Sequence, residues 1–265
     1  MRTTRDIAWT AEGWEQIAPR VGRRRLPGWD CTVGLVAGEH GALLVDAGST
    51  LREGTELREQ TGRLLGGRGV THIALTHPHF DHVFGAAAFR GAEVHGAGGL
   101  GTVLVTGREE LRTDAVRHGV APEEAAAAAG ALRAPGVEVA DVCALDLGGV
   151  SVVLANVGPG HTGQDLVVVV GDRSAGSPPV VFCGDLVEES GEPQAGPDAW
   201  PDRWPGALDR VLALGGPHGR YVPGHGAVVD ADFVRAQRAE LHARCAPDDG
   251  APGAPGADGA AGRPG

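Results

Sequence analysis

Lysine is absent from the 265 residues, so arginine carries all of the fixed positive charge, beside abundant Gly, Ala and Pro. That bias points to a GC-rich coding preference more than to a physical requirement. Basic charge as a whole is also short: 23 basic against 34 acidic side chains leave a formal net charge of −11. A phosphate backbone recruits basic surfaces, and apart from Arg23-Arg24-Arg25 no dense basic run occurs. Nucleic acid is therefore not an expected partner. Cysteine is scarce, and Cys31, Cys143, Cys183 and Cys245 stand far apart without C-x-x-C spacing. Such spacing argues against a zinc knuckle or a disulfide framework and fits a reduced compartment. Cys183 reads as a buried strand residue with no redox task. No uncharged apolar run is long enough to cross a bilayer. The first twenty residues lack the continuous apolar centre of a secretory signal, and the segment after the three arginines is soon interrupted by Asp30 and Glu39. The expectation is a soluble, cytoplasmic protein with no membrane partner.

What is present is enough apolar material for a core, 42% of the residues, and one domain is expected over 1–245. From 246 to 265 the Gly-Ala-Pro-Asp composition has no periodicity and predicts a disordered tail. Thr32 to Ala37 and Ala42 to Asp46 read as a β-hairpin around Gly38-Glu39-His40-Gly41. Ser49-Thr50 offers an N-cap for a helix through about Leu65, with Gly66-Gly67 ending it. From about 98 to 133 the pattern is helical with weak amphipathicity, an outer helical layer or a lid over a substrate. His95 and His118 in this region read as surface or packing residues. Strands come next at Val150 to Val157, Leu166 to Val170 and Val180 to Cys183, then a helix carrying Leu208, Val211, Leu212 and Leu214. Arg220 to Val222 reads as a last short strand, and Asp232 to Arg244 as the last helix. The loop Glu188 to Pro205 carries Trp200 and Trp204, which line a substrate mouth or, as isolated aromatics near a helix start usually do, anchor the loop to the core.

The densest chemistry lies at Thr76-His77-Pro78-His79-Phe80-Asp81-His82. Four metal-capable side chains fall within six residues, between the apolar run His72 to Leu75 and the helical start Val83 to Phe89. In an extended segment alternate side chains share a face, so His77 and His79 can reach one ion. A tightening chain then turns Asp81 and His82 toward a second point. H-x-H-x-D-H is improbable by chance.

This stretch resembles the T-H-x-H-x-D-H loop of the metallo-β-lactamase superfamily. Four further motifs of that family occur in order: Leu43-Leu44-Val45-Asp46-Ala47-Gly48, Gly160-His161-Thr162, Phe182-Cys183-Gly184-Asp185 and Val222-Pro223-Gly224-His225-Gly226. The resemblance implies a four-layer αββα sandwich, two mixed β-sheets packed face to face with helices outside, and the alternation of strands and helices agrees with it. It places His77, His79 and His161 on one metal and Asp81, His82 and His225 on another. Asp185 becomes the bridge, and Asp46 a support behind the metal loop or a cap of the following turn. Imidazole and carboxylate donors suit zinc, and iron or manganese accept the same set. Two divalent ions sharing a water lower its pKa toward about 7 and polarise the bond under attack. Asp81 is the candidate to orient that water and pass a proton to the leaving group.

The implied activity is metal-dependent hydrolysis of an ester-type bond in a small molecule: thioester, lactone, ester or lactam. In the zinc β-lactamases proper the position of Asp185 is typically held by another residue, and one branch uses a lysine for the substrate carboxylate. With Asp185 and no lysine, this chain is more similar to the glyoxalase II-like and general hydrolase branches. Only one helix and the tail come after His225, where glyoxalase II has a longer helical region. An iron oxidoreductase resembling the sulfur dioxygenases of the same superfamily is the alternative, and a non-catalytic scaffold is disfavoured by the complete donor set.

Overall fold

The structure, a computed structural model, describes residues 7–172 and 177–245. The expected tail at 246–265 and part of the loop before Val180 lie outside the described residues. In chain order the elements are β1 (Glu15–Ala18), β2 (Val21–Arg25), β3 (Thr32–Ala37), β4 (Ala42–Val45), α1 (Leu51–Leu64), β5 (His72–Ala74) and α2 (Phe80–Val83). Next come β6 (Glu93–Ala97), α3 (Leu100–Thr106), α4 (Arg108–Arg117), α5 (Pro122–Ala131), β7 (Val137–Val139), β8 (Val142–Asp146) and β9 (Val150–Asn156). The chain continues through β10 (Leu166–Asp172), β11 (Val180–Glu188), α6 (Trp204–Gly215), β12 (Arg220–His225) and α7 (Ala231–Cys245).

Two sheets form, one of seven strands in the order β1 to β7 and one of five in the order β12-β11-β10-β9-β8. The first is antiparallel from β1 to β4 and parallel from β4 to β7. In the second only β11 and β12 run parallel. Strand alternation sends Val36, Leu43, Val45 and Ala74 of the first sheet toward Val152, Leu154, Val168 and Phe182 of the second, and these residues make one buried cluster. The other face of the first sheet, with Leu35, Leu44, Ile73 and Val94, buries Leu57 of α1 together with Leu104, Ala125 and Ala128. The other face of the second packs Val167, Val181 and Cys183 against Trp204, Leu208, Val211 and Val234. These three apolar layers define the four-layer αββα sandwich. Each fully buried Leu or Val in them contributes on the order of 1.5–3 kcal/mol.

Local chemistry explains the boundaries. Thr50 Oγ1 accepts from the Glu53 amide at 3.1 Å, and Glu53 Oε2 accepts from the Ser49 amide at 2.8 Å. Together they satisfy two amides at the start of α1. The helical stretch at 100–131 packs as the outer layer, its buried contacts made by Leu100, Leu104, Ala115, Ala125, Ala128 and Ala129.

Four strands fall where periodicity shows little. β1 and β2 are short and polar, and β7 and β8 come after a turn that ends α5. The three arginines expected as a basic run lie on or beside β2, and each is engaged within the chain. Arg23 pairs with Glu15 at 2.7 Å and donates to Gly226 O at 2.9 Å. Arg24 donates to Glu12 O at 2.7 Å, and Arg25 pairs with Asp30. Among the described residues no helix is long and apolar enough to cross a membrane.

Candidate metal centre

Two of the parallel strand pairs, β4–β5 and β11–β12, aim the site. β4 and β5 run side by side, so the turns after Val45 and Ala74 emerge at the same end of the sheet, and Asp46 meets the His-rich loop there. Asp46 is buried, and its φ of 59° lies in the left-handed region. An L-residue is seldom found there without a local reason. Its Oδ1 accepts from the Thr76 amide at 2.8 Å and its Oδ2 from Thr76 Oγ1 at 2.8 Å. His82 Nδ1 lies 2.8 Å from the same Oδ2. A carboxylate only accepts, so the His82 hydrogen sits on Nδ1 and Nε2 faces inward. Thr76 Oγ1, having donated to Asp46, accepts from His77 Nδ1 at 2.9 Å, which turns Nε2 of His77 inward as well.

On the second sheet the strand expected over Val180 to Cys183 is longer than expected. β11 runs on to Glu188, and register shifts against β12 fall between Phe182 and Gly184 and between Gly184 and Glu188. Such an irregularity re-aims a side chain in mid-strand. Gly184 has φ 53°, and a Cβ there would stand 2.8 Å from Thr76 Cβ. At Gly224 on β12 a Cβ would fall 1.8 Å from Asp185 Oδ1. Both glycines let the two sheets close around the carboxylate.

Asp185 is the meeting point. Its Oδ2 lies 3.6 Å from His77 Nε2, 3.6 Å from His161 Nε2 and 3.4 Å from His225 Nε2. Its Oδ1 lies 3.2 Å from His82 Nε2. Asp81 Oδ2 stands 3.5 Å from His82 Nε2 and 3.4 Å from His225 Nε2. His79 turns Nδ1 toward His161 Nε2 at 3.1 Å. All seven expected donors therefore converge. His77, His79, His161 and Asp185 form one group close enough to hold an ion, and His82, Asp185 and His225 another. His77 Nε2 and Asp185 Oδ1 are buried without a hydrogen-bond partner. Buried polar atoms are rarely left so, and a cation between them would satisfy both.

The electrostatics carry the same signature. Burial holds His77 well below the usual imidazole range and His161 down at about 4, so both present neutral nitrogens. Burial would raise the Asp185 carboxyl, yet the charged His82 and the hydrogen bond from His225 drive it well below the usual carboxylate range. Burial likewise disfavours a charged His225, but hydrogen bonds to Asp185 and Asp81 push it up to about 12. The buried carboxylates of Asp185 and Asp81 are thus held as anions by positive charge on the histidines beside them.

Several contributors carry no sequence signal. His79 Nε2 meets Asp198 Oδ2 at 3.0 Å from a loop 119 positions away. His225 Nδ1 donates to the Trp29 carbonyl at 2.7 Å, a backbone group that no motif announces. Cys31, read only as one of four scattered thiols, pairs with His225 in an isolated backbone bridge and holds Sγ 3.7 Å from His82 Nδ1. Its thiol donates to Asp81 O at 3.2 Å, and burial pushes its pKa up to about 11. Glu188 is nearly buried, with its carboxyl raised by burial to about 7. The two tryptophans part company. Trp204 is fully buried, donates to Leu186 O at 3.0 Å and packs edge-on to His161, so it anchors the loop. Trp200 is 52% exposed, and its indole borders Gly163 beside the His161 turn.

A four-layer αββα sandwich with imidazoles and carboxylates gathered at strand ends defines a class of metal-binding proteins. The chain belongs to the metallo-beta-lactamase superfamily, whose family model matches residues 26–225. Among solved structures, a metallo-beta-lactamase from Pontibacter korlensis is similar at 21% identity and TM-score 0.65, covering 86% of this chain and 97% of its own. The metallo-beta-lactamase DIM-1 is similar at 15% identity and TM-score 0.64, with coverages of 87% and 97%. FIM-1 from Pseudomonas aeruginosa, in a mono-zinc form, is similar at 20% identity and TM-score 0.59, with coverages of 87% and 94%. At these identities the likeness is one of fold. Comparison with curated protein sequences finds no match.

Proposed function

We propose that this chain is a cytoplasmic metal-dependent hydrolase that cleaves an ester-type bond in a small molecule. Two divalent ions, zinc in the first instance, are assigned to His77, His79 and His161 on one side and to Asp81, His82 and His225 on the other, with Asp185 between. The observation that carries this reading is the placement of the Asp185 carboxylate within 3.2–3.6 Å of His77, His161, His225 and His82. Divalent ions held there supply a Lewis acid and lower the pKa of water toward about 7. The protein then needs no side-chain nucleophile. Asp81 contacts His82 and His225 through Oδ2; its role is to orient the attacking water and return a proton to the leaving group. Asp198 fixes His79, the part-exposed imidazole on the solvent side.

The test joins a substrate screen to one variant. Thioesters, lactones, aryl esters and a chromogenic cephalosporin are offered to the zinc-loaded protein, with a chelator control and an oxygen-uptake arm using a persulfide. Chelator-sensitive hydrolysis of one ester class is expected. Asp185→Asn should lower metal occupancy and reduce turnover by about two orders of magnitude or more, because the carboxylate charge that holds two dications close is gone. One bound metal in the wild type and an unchanged rate in the variant would overturn the two-ion reading. Oxygen uptake without hydrolysis would overturn the hydrolase.

A further inference from the structure

We propose that His72, Glu93 and His95 form a separate site for zinc or a similar late first-row divalent ion, at the opposite end of β5 from the centre described above. The register places these residues together. His72 on β5 stands opposite Glu93 on β6, and Ala74 opposite His95. Glu93 and His95 are two apart on one strand and so share a face. Ala74 and Ala97 on the same faces belong to the core between the sheets, which puts the three side chains at the rim of that core. The metal centre lies beyond the other end of β5, past Ala74.

The donor geometry distinguishes an ion site from a simple hydrogen bond. His72 Nδ1 is 3.2 Å from His95 Nε2 and 3.6 Å from Glu93 Oε2, and His95 Nε2 is 3.4 Å from the same Oε2. One proton between the imidazoles accounts for the first distance, and the carboxylate oxygen stands 3.4 and 3.6 Å from the two ring nitrogens, longer than the usual hydrogen bond. Around a tetrahedral zinc, donors at about 2.0–2.2 Å from the ion stand about 3.3–3.6 Å apart. The three donor atoms, 3.2, 3.4 and 3.6 Å from one another, come close to the edges of one face of such a tetrahedron. His95 has a side chain 1% exposed; His72 and Glu93 both meet it at Nε2, and among the described residues its buried Nδ1 has no hydrogen-bond partner. Glu93, 53% exposed, and His72, 26% exposed, leave an entry path. Two imidazoles and a carboxylate suit zinc, nickel or copper over calcium or magnesium. Burial lowers the pKa of His95, which favours the neutral ring a metal requires.

The experiment is zinc uptake by the full-length protein, measured by equilibrium dialysis and elemental analysis at fixed free zinc, with melting temperature followed in parallel. Wild type is expected to bind one equivalent more than His72→Ala, with hydrolytic turnover the same in both. Glu93→Gln, a change at an exposed side chain, should weaken the extra site about tenfold or more. Added zinc should raise the melting temperature of the metal-loaded wild type and leave His72→Ala unmoved, since only a folded-state site is stabilised by its ligand. Equal zinc stoichiometry in wild type and both variants, or an equal thermal response, overturns the site. Neither readout depends on whether the centre at Asp185 hydrolyses anything.

Discussion

Asp46 accepts from Thr76 twice and from His82 once, each at 2.8 Å, while held at φ 59°. A side chain so placed aims two imidazoles without itself facing the centre. Asp46→Asn keeps the shape and loses the charge and one acceptor, so metal affinity should fall about 10–100-fold with the fold intact. Chelator competition measures it, and unchanged affinity would show that the loop holds itself. Asp165 makes a second case. Burial pushes its carboxyl up to about 7 despite hydrogen bonds from the Thr162 hydroxyl and amide. With the folded pKa above the unfolded one, the folded state holds more protons between about pH 4 and 7, and stability is lost as pH rises through that window. The full window amounts to about 4 kcal/mol. Relative to Asp165→Asn, which does not titrate, the wild type should therefore lose stability between pH 5 and 8. Urea denaturation at the two pH values reads the difference, and parallel curves would refute it. The His-x-His-x-Asp-His loop was legible as a donor set because its spacing is chemically improbable otherwise, and His161 and His225 through the resemblance of their short motifs to those of the superfamily. Asp198 and the Trp29 carbonyl were not, because their partnership with histidines exists only in space.

The β11–β12 pair decides where the bridging carboxylate points. The sequence reads as a strand over Val180 to Cys183, whereas β11 continues to Glu188 with register shifts on either side of Gly184. Periodicity reports which face a residue occupies and says nothing of a bulge in mid-strand. Gly224→Ala tests the consequence, since its Cβ would stand 1.8 Å from Asp185 Oδ1. Metal occupancy and turnover should drop by about tenfold or more, while the loss of stability stays near 1–3 kcal/mol, typical of local overpacking. Full activity in the variant would mean that Asp185 has another position available. α1 was legible to within a residue, because Thr50 and Glu53 cap it by local chemistry. β1, β2, β7 and β8 were not, being short, part-exposed segments that owe their conformation to the strands beside them.

Across the whole molecule, two sheets and two helical layers share three apolar clusters, and the centre forms where both sheets expose strand ends. Residues 246–265 lie outside the described residues; their sequence holds Gly, Ala, Pro, Asp and one Arg with no large apolar side chain, a composition that predicts no ordered packing. A chain ending at Cys245 should keep its melting temperature and its turnover. A marked loss of either would mean that the last twenty residues dock. The amino-acid order alone was enough to name the family, because five short motifs resemble those of the superfamily in order, and that resemblance implied the sandwich and the seven candidate donors. Only the tertiary structure decided that Arg23, Arg24 and Arg25 are engaged internally, that Trp204 is an anchor while Trp200 is open, and that His95 is buried against His72 and Glu93. Those outcomes depend on which strands become neighbours and in what register, a long-range property set by the packing of the sheets.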